Sequence, residues 1–244
     1  MQDLRRHLDA ASAVTGAPVL IDSSGAKDAL ECLRLVEGAR AGLTATAYNP
    51  HMGRPATVVR MTYAEYLAAE AVADVRHEYL AGDVWAMAGG TIEHGGLAVA
   101  VARDIGLALR GKPSRAFSSD VRVRIRETDL ATYPDLSVVG GQLETAPDDA
   151  DAITNPILLV EVLSDSTEAY DRGAKWAHYR RIASLRDYVL VSQAEPLIEV
   201  YRRTEGGRFE LFEARAGETI ELASIGARLD VNAVYANPLG TATG

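Results

Sequence analysis

Asn155-Pro156-Ile157-Leu158-Leu159-Val160-Glu161-Val162-Leu163-Ser164 is the stretch on which the fold class turns. Asn155-Pro156 marks a turn. From Ile157 to Leu163 the chain is apolar and interrupted only by Glu161. Such a run suits a central strand buried on both faces, as in a sheet covered by helices. Glu161 then carries information. An unpaired carboxylate at that place is costly to bury, or takes up a proton. A metal ion or a cationic partner removes the penalty. The plainer alternative is a strand-end carboxylate facing a helix terminus or an arginine.

Upstream lies Tyr133-Pro134-Asp135-Leu136. Pro134 has no N–H and fits a strand start or edge. Asp135 is expected to begin an alternating strand with Ser137 and Val139 on its face. By itself it reads as a turn aspartate. If its strand neighbours that of Glu161, two carboxylates converge, and hard oxygen ligands of this kind suit Mg²⁺ or Mn²⁺. Downstream, Asp165, Ser166 and Thr167 are candidate caps for a helix from about Glu168 to Ile182. That helix carries Lys175, one of only three lysines (Lys27, Lys112, Lys175) among 25 basic residues. A compact ammonium can orient a water or neutralise a phosphate. The alternative is a surface pair with Asp171, four residues earlier.

Elsewhere the pattern alternates between helix and strand. Thr62 with Glu65 forms a capping-box signature ahead of a short helix. His77 to Met87 reads as a hairpin turning at Gly82-Asp83. Leu97, Val101, Ile105 and Leu109 share one helical face. Val121, Val123 and Ile125 alternate with Arg122, Arg124 and Arg126, which predicts a half-buried strand. Further strands are expected over Asp187–Ser192 and Thr219–Leu222, with a hairpin of Ile198–Arg203 and Phe209–Ala214 about Gly206-Gly207. Residues 1–60 show only short helical patterns, Leu30-Leu33-Val36 the best of them. They read as an N-terminal extension of unknown role, followed by a main domain over 61–237 and a tail over 238–244.

Composition narrows the function classes. With 244 residues, 48% apolar and 24% charged, the chain can bury a sizeable core. No apolar run reaches the roughly 18 residues of a membrane span. Cys32 is the single cysteine, so an intramolecular disulfide and a Cys-based zinc site are both excluded. The N-terminal residues lack the order of a secretory signal, and a cytoplasmic protein without membrane attachment is expected. The net charge of −9 argues against a general basic footprint for nucleic acid. Two segments run the other way: Arg103 to Arg126 holds seven basic residues against Asp104 and Asp120, and Arg172 to Arg186 holds five basic residues with no acid. Glu78 and Asp120 are weaker candidate acids. The five histidines show no metal-ligand spacing, His94 and His178 being the mild exceptions. Phosphate-loop and GxSxG patterns are missing.

Seven segments in this order carry a resemblance: Thr62-Tyr63-Ala64-Glu65-Tyr66-Leu67, Arg76-His77-Glu78-Tyr79, Ala86-Met87-Ala88-Gly89-Gly90-Thr91, Ser119-Asp120-Val121, Tyr133-Pro134-Asp135-Leu136, Val160-Glu161-Val162-Leu163-Ser164, and Asp171-Arg172-Gly173-Ala174-Lys175 with Tyr179 four residues on. From about Met61 to Asn237 the chain resembles the Uma-type restriction endonuclease family, a bacterial family of the PD-(D/E)XK nuclease superfamily. The resemblance implies a restriction-endonuclease-like core of mixed α/β type: a central mixed sheet flanked by helices, with a C-terminal β-hairpin region. It implies that Asp135 and Glu161 hold Mg²⁺, or Mn²⁺. Glu78 corresponds to a family acid near the site, and Asp120 to a recurring position of less clear role. The residue two after the glutamate, lysine in the superfamily, is here Leu163. Lys175 matches the family's lysine on the following helix.

The expected activity is metal-dependent endodeoxyribonuclease, with DNA as partner and a homodimer as the family-level assembly. Asp135, Glu161, Lys175 and Glu78 form the expected catalytic set. Arg122, Arg124, Arg172 and Arg180 are the candidate phosphate contacts. The alternatives are a catalytically inactive nuclease-fold protein that binds nucleic acid or a protein partner, and a hydrolase of another phosphoester.

Overall fold

The computed structural model describes residues 48–49, 54–55, 59–87 and 89–237. The helical pattern around Leu30 and the tail after residue 237 lie outside the described residues. In chain order the elements are β1 (Tyr48–Asn49), β2 (Arg54–Pro55), β3 (Val59–Arg60), α1 (Tyr63–Glu70), β4 (His77–Leu80), β5 (Asp83–Ala86), α2 (Ile92–Ala108), β6 (Ser114–Ser118), β7 (Arg122–Ile125), β8 (Leu130–Thr132), β9 (Leu136–Gly140), β10 (Thr145–Ala146), β11 (Asp149–Ile153) and β12 (Leu158–Val162). A continuous helix α3 follows, built from an α-helical turn (Glu168–Tyr170), a π-helical turn (Asp171–Lys175) and a second α-helical turn (Trp176–Tyr179). Then come β13 (Asp187–Val191), β14 (Leu197–Arg203), β15 (Phe209–Arg215), β16 (Thr219–Leu222), β17 (Ala227–Asp230) and α4 (Val231–Val234). No helix among the described residues is long and apolar enough to cross a membrane.

The chain divides into two compact units. One holds the described residues up to Gly89 together with Ile125–Thr132; the other holds Gly90–Arg124 and the chain from Tyr133 onward. In the first unit, β3, β5, β4 and β8 pair antiparallel in that order. Helix α1 starts as expected: the Thr62 side chain accepts from the Glu65 N–H while the Glu65 carboxylate accepts from the Thr62 N–H at 2.8 Å. Its buried Tyr66 and Ala69 join Tyr79, Val84 and Ala131 in an apolar cluster. The hairpin turns one residue earlier than expected. Ala81 and Gly82 both take positive φ (49° and 97°), as a two-residue hairpin turn requires, so Asp83 is the first residue of β5.

The second unit is organised by a six-stranded sheet in the order β15-β14-β13-β12-β9-β6. Only β12 and β13 run parallel; the other pairs are antiparallel. The apolar run of the sequence is thus the inner strand β12, and all five of its residues are buried. Successive side chains of a strand alternate between faces. Leu158, Val160 and Val162 pack on one side with Val189, Val191, Ile198 and Val200 against Leu97, Val101, Ile105 and Leu109 of α2. Ile220, Leu222 and Leu229 of the β16–β17 hairpin and Val231 and Val234 of α4 complete that core. Leu159 and Glu161 face the other side, where α3 lies.

Three further expectations change. Strand β7 does not alternate cleanly, because Arg124 is buried as well as Val123 and Ile125. Its neighbour Arg122 is held by Asp149 of the adjacent parallel strand β11, at 2.9 and 3.0 Å. The α3 helix ends at Tyr179, short of Ile182, and contains the π turn. Its entry is not capped by a side chain: Thr167, the N-cap residue, shares hydroxyl hydrogen bonds with Ser164 (3.0 Å), which also meets Ser166 (2.8 Å). Finally, β6, β8, β10, β11 and β17 were not expected. Strands β8, β10 and β17 span four residues or fewer, and β6 and β11 do not alternate cleanly between buried and exposed positions, so their period-2 signal is weak.

Removing the cap of α1 tests the local energetics. Thr62→Ala lowers stability by about 1 kcal/mol in urea unfolding, with an unchanged m-value.

Candidate active site

Glu161 is delivered by the strand period to the α3 face of the sheet, and α3 meets it with two groups one helical step apart. The Lys175 ammonium lies 2.8 Å from Glu161 Oε1, and the Tyr179 hydroxyl donates to the same oxygen at 2.7 Å. Glu161 and Lys175 are each 5% exposed. Asp171, buried one turn before Lys175, stands 3.4 Å from the ammonium. The plainer reading of Lys175, a surface pair with Asp171, is therefore half right: the pair exists, but it is buried and shared with Glu161. Asp171 and Lys175 are the first and last residues of the π turn, and Tyr179 ends the α-helical turn that follows; such turns are frequent at functional sites. The backbone carbonyl of Asp171 is fixed by the Tyr188 hydroxyl from β13 at 3.1 Å.

Asp135 arrives from the neighbouring strand. β9 pairs with β12 only as far as Leu136 opposite Val160. Asp135 lies just before β9 rather than within it, a correction to the expected alternating strand. Past the end of the β9–β12 pairing, the Asp135 carboxylate serves as the acceptor for β12: Oδ2 accepts the Val162 N–H at 2.7 Å. That bond fixes Asp135 beside the residue that follows Glu161. Its Oδ1 lies 2.9 Å from Nε2 of His94. His94 sits in the first turn of α2, where its N–H donates to the Thr91 side chain at 3.1 Å. The Thr91 hydroxyl donates to Gln193 Oε1 (2.8 Å), and Gln193 Nε2 donates to the Leu163 carbonyl (2.7 Å). Leu163, two residues after Glu161, is a buried apolar side chain, and the ammonium beside Glu161 comes from α3.

The electrostatics follow from this packing. Burial pushes the Glu161 carboxyl well above its usual range; Lys175 opposes the shift, and Asp171 and Asp135 add to it. Burial, then the Glu161 charge, raises the Tyr179 hydroxyl well above its ordinary value, so it stays a donor. His94 is raised by its hydrogen bond to Asp135, partly opposed by its own desolvation.

The structure therefore gathers Asp135, Glu161 and Lys175, and adds His94, Asp171 and Tyr179. The sequence carried a signal for two of the three additions, because Asp171, Lys175 and Tyr179 recur at four-residue spacing. His94, set apart only mildly among the histidines, gave no sign of its partner, 41 residues away. Glu78 belongs to the first unit, where it is buried and its Oε1 accepts the Thr132 hydroxyl. Asp120 is exposed in the turn after β6, where its carboxylate accepts the Ser118 hydroxyl at 3.1 Å. Of the candidate phosphate contacts, Arg122 is engaged by Asp149 and Tyr133, Arg124 is buried, and Arg172 is paired with Glu199 and Glu168; Arg180 is exposed.

Among the described residues, no three His, Cys, Asp or Glu side chains are grouped so as to hold a metal ion by themselves. The donor set still suits Mg²⁺, which commonly takes one or two carboxylates and completes its shell with water and substrate phosphate. Each carboxylate oxygen has two acceptor directions, so Asp135 Oδ1 and Oδ2 keep capacity beyond their present bonds.

Residues 63–232 match the Uma2 family, described as "Putative restriction endonuclease". The chain belongs to this family. Two proteins of the cyanobacterium Synechocystis sp. are similar to it. The one designated slr1290 is 36% identical over 171 residues, covering 70% of this chain and 89% of its own. The one designated sll1609 is 32% identical over 167 residues, covering 68% and 94%. Both are described as uncharacterized. Among solved structures, a "putative nuclease belonging to DUF820" from Anabaena variabilis superposes with a TM-score of 0.55 at 17% identity, over 67% of this chain and 91% of its own. At that identity the likeness is one of fold, and it agrees with the mixed sheet of the second unit.

Two outcomes are expected from the site's electrostatics. Lys175→Met strands the buried Glu161 and destabilises the protein by about 3–5 kcal/mol, whereas Glu161→Gln combined with Lys175→Met recovers much of the loss; chemical denaturation of the single and double variants measures both. The His94 imidazole titrates above 6.5 by NMR and moves down in Asp135→Asn. A raised folded value means that the pair's contribution is complete below pH 6.5 and is lost as pH climbs through the His94 midpoint. The stability gap between wild type and Asp135→Asn accordingly narrows over that interval.

Proposed function

We propose that this protein is a Mg²⁺-dependent DNA endonuclease that hydrolyses phosphodiester bonds, with Mn²⁺ as an alternative metal. The observation that carries the reading is the convergence of Asp135, just ahead of β9, and Glu161 of the adjacent β12 with the Lys175 ammonium from α3. Membership of the Uma2 family supports a nuclease-type function, and the fold likeness is consistent with it.

Asp135 and Glu161 would hold the cation. When bound, a divalent cation lowers the pKa of its water and offsets charge at the scissile phosphate. The chain's own groups do the rest. Lys175 presents a fixed positive charge in a desolvated setting, where it stabilises the developing negative charge on phosphorus-bound oxygen. Asp171 holds that ammonium against the carboxylate, and Tyr179 fixes which oxygen of Glu161 is engaged. His94 and the Val162 N–H orient the Asp135 carboxylate from its two sides.

One feature favours a second reading, a nuclease-fold protein that binds without cutting. The superfamily's lysine position holds Leu163, and Glu161 Oε1 already has two donors. Calorimetric titration with Mn²⁺ separates the readings: heat abolished by Asp135→Asn fits the enzyme, and its absence in wild type fits the binder.

The direct test is nicking of supercoiled plasmid in Mg²⁺. Wild type nicks, and Asp135→Ala, Glu161→Ala and Lys175→Ala each lose about 10²-fold or more in rate. Equal nicking by wild type and the Asp135 and Glu161 variants shows that the activity, or its site, is elsewhere.

A further inference from the structure

Beyond the carboxylates, α3 borders a second feature. A cavity of about 620 Å³ lies between the end of α3 and the β14–β15 hairpin, lined by Trp176, Tyr201 and Phe209 and by Arg180, Arg181 and Arg208. Its lining contains no carboxylate. On a chain of net charge −9, three arginines on one small surface are a concentrated exception.

The aromatic side is built layer on layer. Tyr188 and Tyr201 are partners across β13 and β14, with ring centroids 6.2 Å apart. Trp176 stacks on both, at 5.3 Å to Tyr188 and 4.7 Å to Tyr201. Two rings only 6.2 Å apart cannot sandwich an indole between them. Both tyrosines therefore lie under one face of Trp176, which is only partly buried and lines the cavity. Phe209 stands perpendicular to Trp176, with 4.7 Å between ring centroids, and also lines the cavity.

The basic side is held just as firmly. Arg203 donates to the carbonyls of Arg180, Ile182 and Leu185 and lies 4.5 Å over the Phe209 ring, tying the chain after α3 to the hairpin. The hairpin tip turns through Gly207 at φ +78°, and the Thr204 N–H donates to the Arg208 carbonyl at 2.7 Å, which places Arg208 on the rim. Arg180, Arg181 and Arg208 are exposed. Arg180 and Arg208 make no ion pair among the described residues.

We propose that this groove binds single-stranded DNA, stacking an unpaired base on Trp176 and receiving the flanking phosphates on Arg180, Arg181 and Arg208. An aromatic platform beside a cationic rim is the chemistry that single strands require, because each base offers a π-face and each linkage an anion. A duplex offers no free base face to a recessed ring. The volume suits a nucleotide-sized group. The inference deepens the nuclease reading by naming the form of nucleic acid that reaches the site. Trp176 follows Lys175 directly in α3, and the rings continue from Glu161 through Tyr179 and Tyr188 to Trp176.

Fluorescence of the full chain, titrated with oligo-dT in EDTA, tests it without any need for cleavage. The protein has two tryptophans, and Trp85 is 1% exposed, so quenching on binding reports Trp176. Wild type is expected to bind oligo-dT with quenching and to weaken steeply with salt. Arg180→Glu with Arg208→Glu, both on the surface, is expected to lose about tenfold or more in affinity at an unchanged melting temperature. Trp176→Phe, which keeps a ring over the tyrosines, is expected to bind by anisotropy without the quench. No binding of oligo-dT, tighter binding of a matched duplex or of oligo-U, or binding untouched by the double charge reversal overturns the proposal. Failure of the groove leaves plasmid nicking by Asp135 and Glu161 in place. Failure of the nuclease reading leaves oligo-dT binding without nicking.

Discussion

The buried pair of Glu161 and Lys175 is the constraint around which the second unit is arranged. A carboxylate in the inner strand of a six-stranded sheet cannot be hydrated there, and its charge survives only if a cation and further donors reach it. This fixes which face α3 must cover and at what rotation, because Lys175 and Tyr179 converge on one oxygen. The π turn is at the same place, and Tyr188 from the sheet holds its first carbonyl. Removing one partner alone leaves an uncompensated buried charge, so the two groups stand or fall together.

The two faces of the sheet divide the work. Toward α2 the packing is aliphatic, with valine, leucine and isoleucine from α2, β9, β12, β13, β14, β16, β17 and α4 in one cluster. Toward α3 it is aromatic and ionised, running from Glu161 through Tyr179 and Tyr188 to Trp176. The first face supplies the free energy that burial of apolar area provides. The second can therefore hold groups that contribute little to stability or oppose it. Asp135 lies where the two neighbouring strands stop pairing, and its carboxylate replaces a missing ladder bond while remaining beside Glu161.

The sequence was legible wherever a local pattern ran long enough. The α2 stripe, the Thr62–Glu65 capping box, the apolar strand and the β14–β15 hairpin all appear where their periodicity put them. Strand β17 was missed although Ala227 and Leu229 are buried between exposed Arg228 and Asp230, because four residues are a weak period-2 signal. The π turn was invisible, since nothing in Asp171-Arg172-Gly173-Ala174-Lys175 distinguishes it from an ordinary helical turn. The arginines of β7 and α3 look alike in sequence, yet Arg122 and Arg172 are engaged by Asp149 and Glu199 while Arg180 is exposed; pairing across 27 residues leaves no local trace.

Residue types and their spacing by themselves determined that a carboxylate occupies a buried strand, that a second lies near the start of the preceding one, and that a rare lysine rides the next helix. They determined this because burial and helical or strand period are properties of neighbouring residues. Only the tertiary structure decided that these groups meet, that His94 joins Asp135, and that Trp176 covers two tyrosines beside exposed arginines. Those contacts depend on strand order, on register and on the rotation of α3, which are settled by packing among elements far apart in the chain.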